Sequence, residues 1–174
     1  MTKATEIIDD LRHPTPRATN GQRWELISDR VMGGVSDGLL ERATVDSRTA
    51  LRLRGKVSLR NNGGFVQCAI DLAAYGGAVD ASDWAGVQMD VLGNGESYKL
   101  HLRSTDLDRP WQSFRHDFLA APHWQRLRLP FAGFTAHRTD QPLRLTRLRR
   151  LGLVAIGRAF EADLCISDIR FYAA

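Results

Sequence analysis

The chain has 174 residues, 43% of them hydrophobic and 25% charged, enough to bury the core of one domain and ordinary for a globular protein. No apolar run reaches the ~20 residues that a membrane-spanning helix needs, so no transmembrane segment is expected. A formal net charge of +4, from 24 basic and 20 acidic residues, is too balanced to mark a nucleic-acid binder by itself.

The first residues, Met1-Thr2-Lys3-Ala4-Thr5-Glu6-Ile7-Ile8-Asp9-Asp10, lack the apolar core of a secretory signal and the Arg-rich character of a transit peptide. A cytoplasmic location is the expectation. Residues 1–20 read as an N-terminal tail in which Ile7, Ile8 and Leu11 are spaced for one helical face, with Pro14 and Pro16 ending the turn. Residues 21–174 read as one domain. With no secretory signal, Cys68 and Cys165 are expected as buried free thiols, not a disulfide.

From Trp24 onward the apolar period is two. Leu51, Leu53, Val57 and Leu59 alternate with Arg52, Arg54, Lys56 and Arg60, which predicts a half-buried strand with a basic outer row. Val66, Cys68, Ile70 and Leu72 predict the inner face of the next strand. Val87, Met89 and Val91 do the same before Asn94-Gly95, a hairpin signal leading to Tyr98, Leu100 and Leu102. Further strands are predicted over residues 111–118, 125–129 and 148–156, with loop over 132–146. The last strand, 162–172, changes parity at Ser167-Asp168, which predicts a bulge. About eight short strands and almost no helix predict an all-β sandwich.

Two stretches stand apart. Ser28-Asp29-Arg30-Val31-Met32-Gly33-Gly34-Val35-Ser36 and Asn61-Asn62-Gly63-Gly64-Phe65 each set a glycine pair among short polar residues. At least one of the four glycines is expected at positive φ. The first loop has two readings. It presents Arg30 and Asp37 to a ligand, or backbone N–H groups to an anion. Alternatively Asp29 caps backbone amides while Val31 and Met32 plug the core, and their place between polar residues favours this anchoring role. Asn61 and Asn62 either offer amides to sugar hydroxyls or supply left-handed backbone conformations in a tight bend.

Three more groups are candidates for contact. Lys99, His101 and Arg103 share one strand face, with Gln67 on another strand, and form a polar groove if that face is concave. Trp24, Trp84, Trp111 and Trp124 are stacking platforms or, more in keeping with a sandwich, core. The row of Arg52, Arg54 and Lys56, with Arg126, Arg128 and the cluster Arg144, Arg147, Arg149 and Arg150, carries positive charge with no obvious acidic neighbours in sequence. No nucleophile elbow, P-loop, Rossmann glycine run or metal-ligand spacing is present. No catalytic residue, cofactor or metal is therefore expected.

The two glycine motifs also resemble the complex I intermediate-associated protein family, the thirty-kilodalton assembly factors of respiratory complex I. The resemblance extends through Trp84-Ala85-Gly86-Val87, Gly93-Asn94-Gly95, Tyr98-Lys99-Leu100-His101-Leu102-Arg103, Trp111-Gln112, Trp124, Leu129-Pro130-Phe131 and Ile169-Arg170-Phe171-Tyr172. It implies a galactose-binding-like jelly-roll β-sandwich, akin to some carbohydrate-binding modules, with no known catalytic residues. It also implies a chaperone-like role in assembling other complexes. The expected partner is another protein or complex with an acidic docking face. The alternative is a carbohydrate-binding module using the polar groove. Nucleic acid is not expected, for want of a known module or basic residues interleaved with exposed aromatics.

Overall fold

A computed structural model describes residues 2–13 and 17–174, and Pro14 and Pro16 lie outside the described residues. The chain forms β1 (Ile7–Asp9), β2 (Glu25–Ser28), β3 (Asp37–Val45), β4 (Arg48–Val57), β5 (Phe65–Asp71) and β6 (Gly86–Leu92). These are followed by β7 (Ser97–Ser104), β8 (Ser113–Leu119), β9 (Gln125–Pro130), β10 (Thr135–His137), β11 (Leu148–Ile156) and β12 (Phe160–Tyr172). Helical structure among the described residues is limited to 3₁₀ turns.

The first sheet runs β3-β4-β12-β6-β9, with β1 also on β12; the second runs β10-β8-β7-β11-β5-β2. All strand pairs are antiparallel. The two sheets face each other as a jelly-roll β-sandwich. The predicted inner rows fill the space between them. Leu51, Leu53, Val57, Val66, Cys68, Ile70, Val87, Met89 and Val91 are all buried, while Arg52 and Arg54 are half-buried and Lys56 is exposed. Such alternation follows from a pleat that puts one face of each sheet in the core and the other in water. Cys68 and Cys165 are free and buried, on different sheets.

Several expectations change. Ile7 and Ile8 are not on a helix but in β1, where Ile7 pairs with Arg170. Asp9 explains the alternative: fully buried, it accepts from Leu11 N (3.0 Å) and Trp24 Nε1 (2.9 Å), which pins the N-terminal segment to the sandwich. Asn94-Gly95 does not close a hairpin. It carries the chain from β6 in the first sheet to β7 in the second, because β6 finds its partners in β9 and β12. The two-residue hairpin is instead Asp46-Ser47, both at positive φ, between β3 and β4. Leu59 lies beyond β4 and is exposed. The predicted loop over 132–146 contains the short edge strand β10. The parity change in β12 is present as a register shift between Ile166 and Asp168.

Tyr98 links the sheets through the core. Its ring is fully buried, and its hydroxyl donates to Asn94 Oδ1 (2.7 Å) and accepts from Asp163 N on β12 (2.9 Å). Burial pushes the phenol up to about 12, so it keeps its proton for the Asn94 bond. Tyr98→Phe leaves the part-buried Asp163 N–H and Asn94 Oδ1 without their partner and is expected to cost about 1 kcal/mol, read as a lowered urea midpoint with unchanged m-value.

Candidate functional site

The two glycine motifs, far apart in sequence, close on one carboxylate. Ser28 caps a short 3₁₀ turn (Asp29–Met32), and Gly33 ends it at φ +87°. The turn points Asp29 inward, where it is completely buried. Its Oδ1 accepts from Ser36 N (3.0 Å). Its Oδ2 accepts from Ser36 Oγ (2.5 Å), Gly64 N (2.6 Å) and Phe65 N (3.3 Å). Ser36 Oγ in turn accepts from Ser58 N (2.9 Å). One side chain thus ties the residues before β3, after β4 and before β5, so it fastens the two sheets together at one end of the sandwich.

The glycines are the counterpart of this lock. A Cβ at Gly34 would lie 2.4 Å from Asp29 Cγ, and one at Gly63 would lie 2.4 Å from Asp29 Oδ2. Gly33 and Gly64 contribute positive φ, +87° and +140°. Each pair therefore has one glycine for the backbone turn and one for the close approach to the carboxylate. Burial pushes the Asp29 carboxyl up, but the hydrogen bonds from Ser36 Oγ, Gly64 N, Ser36 N and Phe65 N outweigh it and hold the group below the usual carboxylate value.

Asp29 caps amides, as one of the two readings expected, but Val31 and Met32 do not plug the core. They stand out at the tip of the turn, 75% and 65% exposed. With the carboxylate taking the inside of the turn, the two following side chains are directed to solvent. Arg30 lies along the loop, its Nε on Ser36 O (2.9 Å) and its Nη2 on Asp37 Oδ1 (2.5 Å). Asn61 and Asn62 are exposed and both left-handed, φ +56° and +58°, and Asn61 Nδ2 donates to Gly33 O at 3.3 Å.

Lys99, His101 and Arg103 are on the outer face of the second sheet. One row across it reads Ala69, Gly152, His101 and Arg115, from β5 to β8. Burial, with Arg115, Lys99 and His137 adding repulsion, pushes the His101 imidazole down to about 3, so the ring is neutral. Lys99 pairs with Asp117. Arg103 Nη1 donates to the carbonyls of Arg109, Pro110 and Gln112 and so holds the loop that carries Trp111, which is 54% exposed. A register shift between Leu148 and Arg150 brings Arg149 and Arg150 beside Arg103. Burial, then Arg149 and Arg150, push the Arg103 pKa down from its usual value.

Arg147 does not join this group. Together with Arg144 it meets Asp106, at 2.7 and 2.9 Å. The expected unpaired strand rows are likewise neutralised: Arg52 forks onto Asp163, Arg54 meets Glu41, and Arg126 forks onto Asp90. Arg128 reaches Gln88 and covers the Tyr172 ring. These pairs join different strands, so residues distant in sequence supply the missing acids. Arg115 was not singled out as a contact residue by the strand pattern, whereas Trp111, weighed as stacking platform or core, is exposed. The doubled arginine at 149–150, breaking the alternation, is the signal that could have located the bulge.

Trp24, Trp84 and Trp124 are half-buried, with indole N–H groups donating to Asp9, Ala4 O and Val45 O respectively. No group of three His, Cys, Asp or Glu among the described residues could hold a metal ion. Burial pushes the Cys68 thiol up to about 12 and Cys165 to about 11, which leaves neither as a ready nucleophile. No helix of the described residues is long and apolar enough to cross a membrane.

The architecture is shared with solved carbohydrate-binding modules. The family 11 module of cellulosomal cellulase Lic26A-Cel5E of Clostridium thermocellum superposes with a TM-score of 0.75 at 11% identity, covering 100% of this chain and 96% of that one. A family 11 module from the same organism, in complex with a β-1,3-1,4-mixed-linked tetrasaccharide, gives 0.75 at 12% identity, over 100% and 98%. The family 30 module of its cellulosomal cellulase Cel9D-Cel44B gives 0.64 at 13% identity, over 98% and 94%. At such identities the likeness is one of fold. No curated protein matches the sequence. The family model described as Complex I intermediate-associated protein 30 (CIA30) matches residues 12–166, a span that contains both glycine motifs and the Asp29 lock; the chain belongs to this family.

Proposed function

We propose that the chain is a non-catalytic binding protein that helps a larger protein complex to assemble, and that Val31 and Met32 form its docking tip. The observation that carries this is the contrast within one turn: Asp29 is fully buried on a set of short hydrogen bonds, while its apolar neighbours stand in water. Large apolar side chains held out on a fixed turn favour association, because their ordering cost is met before the partner arrives. Leu26, Leu39 and Leu59 are also exposed, and they belong to the segments that the lock joins. The name of the family points to intermediates of respiratory complex I as the assembly concerned.

The double substitution Val31→Ser/Met32→Ser touches no core contact, so the thermal midpoint is expected to stay within a few degrees. Recovery of complex I subunits on affinity capture from the native cell is expected to fall by at least about tenfold, the scale of losing one apolar anchor. Capture of those subunits at wild-type yield by the double variant would remove the tip from the interface. Their absence from the wild-type capture would remove the assembly reading itself.

A carbohydrate-binding role is the second reading. It is supported by the shared architecture and by the exposed Trp111 beside the polar sheet face. Calorimetric titration with a mixed-linkage tetrasaccharide tests it, and Trp111→Ala should then abolish the heat signal.

A further inference from the structure

We propose that the outer face of the second sheet binds a carboxylate-rich peptide segment, held by Arg103, Arg115 and Arg149. This rests on the protein-binding reading above and adds a second surface, with the chemistry of the partner that fits it. The argument begins with pairing. On the strands of both sheets several arginines meet carboxylates, Arg52, Arg126 and Arg170 through two-pronged contacts. Arg103, Arg115 and Arg149 meet none among the described residues: Arg103 holds carbonyls, Arg115 Nε rests on Ser113 Oγ at 2.9 Å, and Arg149 Nε is buried without a partner.

The three are also close to like charge. Arg149 and Arg150 both act on Arg103, and Arg138 acts on Arg115. Arg103 and Arg115 are half-buried, so this repulsion is screened less than it would be at an open surface. Carboxylates on the same face are already taken: Asp71 and Glu25 are on Arg150, and Asp117 is on Lys99. An arriving carboxylate therefore removes a standing repulsion and gains forked hydrogen bonds, which guanidinium geometry suits. Between the arginines the row holds Ala69 and Gly152, both buried, with the Gln67 side-chain amide oxygen over Gly152, so the floor carries no charge that would repel a carboxylate. No Phe, Tyr or Trp lies in that row, which disfavours stacking on nucleobases or neutral sugar rings as the main attraction there.

The test uses the full chain and a fluorescent decaglutamate peptide, followed by anisotropy, with oligogalacturonate of matched charge as competitor. Saturable binding at about 50 mM salt that weakens at about 300 mM is expected. Arg115→Gln/Arg149→Gln should weaken it by at least about tenfold, and Arg147→Gln, whose side chain is occupied by Asp106, by less than about twofold. Arg103 is left intact because it also holds the Trp111 loop. No saturable binding, or unchanged affinity in the double variant with a wild-type thermal midpoint, overturns the proposal. Equal or tighter binding of oligogalacturonate overturns the peptide assignment. The Val31→Ser/Met32→Ser variant should bind the peptide as the wild type does, so a failed docking tip and a failed anion face give different results.

Discussion

Replacing Asp29 with alanine is expected to destabilise the chain by about 3–5 kcal/mol, the range for a buried, fully hydrogen-bonded charged group that leaves several donors orphaned. Gly64 N and Ser36 N would both lose their acceptor at once, Ser36 Oγ would keep only the longer contact to Ser58 O (3.2 Å), and no water-exposed route replaces the carboxylate, because Asp29 is fully buried. Asp29→Asn is nearly isosteric but presents an NH₂ to inward-pointing donors, so it should cost almost as much. The same group gives a pH dependence of definite sign. Its folded-state pKa is depressed below the ordinary 3.8. Its contribution is therefore complete above that value and is lost as the pH falls through the lower, folded-state value, where the folded carboxylate at last takes up a proton. Urea midpoints measured from pH 6 down to about 2 check this, and the Asp29→Ala variant should show a flatter profile than the wild type over the acidic end. Equal slopes would mean that the carboxylate is not held by these bonds.

The second large effect is expected at the glycines, and it differs within each pair. Gly34→Ala and Gly63→Ala push a methyl group to 2.4 Å from the Asp29 carboxyl, which cannot move without breaking its own bonds. A cost of about 2–3 kcal/mol is expected from such overpacking. Gly33→Ala meets nothing within 4 Å and suffers only its left-handed backbone, φ +87°, so about 1 kcal/mol is expected. The ordering is the useful part: chemical denaturation should rank Gly34→Ala and Gly63→Ala clearly below Gly33→Ala. In the Asp29→Ala background the penalty at Gly63 should fall most, because the carboxyl is its tightest contact, while Gly34→Ala should keep part of its cost from the Cβ of residue 29 at 2.8 Å. An undiminished penalty at Gly63 would place its steric conflict elsewhere.

Much of this architecture is legible in the sequence, and the reason is local. Period-two runs such as Leu51-Leu53 and Val87-Met89-Val91 state which side of a strand faces the core, whatever strand lies beside it. The glycine pairs likewise announce special backbone, because φ is a property of a single residue. The N-terminal strand was not legible: Ile7, Ile8 and Leu11 fit a helical face, and only β12 offers the edge that makes Ile7–Asp9 a strand. Val31 and Met32 look like core on hydropathy alone, and they stand outside because a buried Asp29 already occupies the inside of the turn.

Charge was the least readable property. The strand arginines at 52, 54 and 126 carry no acidic neighbour in sequence, yet each has one across the sheet, at Asp163, Glu41 and Asp90. Arg147 and Arg149 stand two apart, yet one is paired with Asp106 and the other is unpaired among the described residues. What the sequence by itself determined is which residues turn inward and where the backbone needs glycine, because steric and hydrophobic demands act residue by residue. Which loops meet on Asp29, and which guanidiniums are left without an acid, was decided only by the tertiary structure, because both depend on the neighbours that strand pairing brings within a few ångströms.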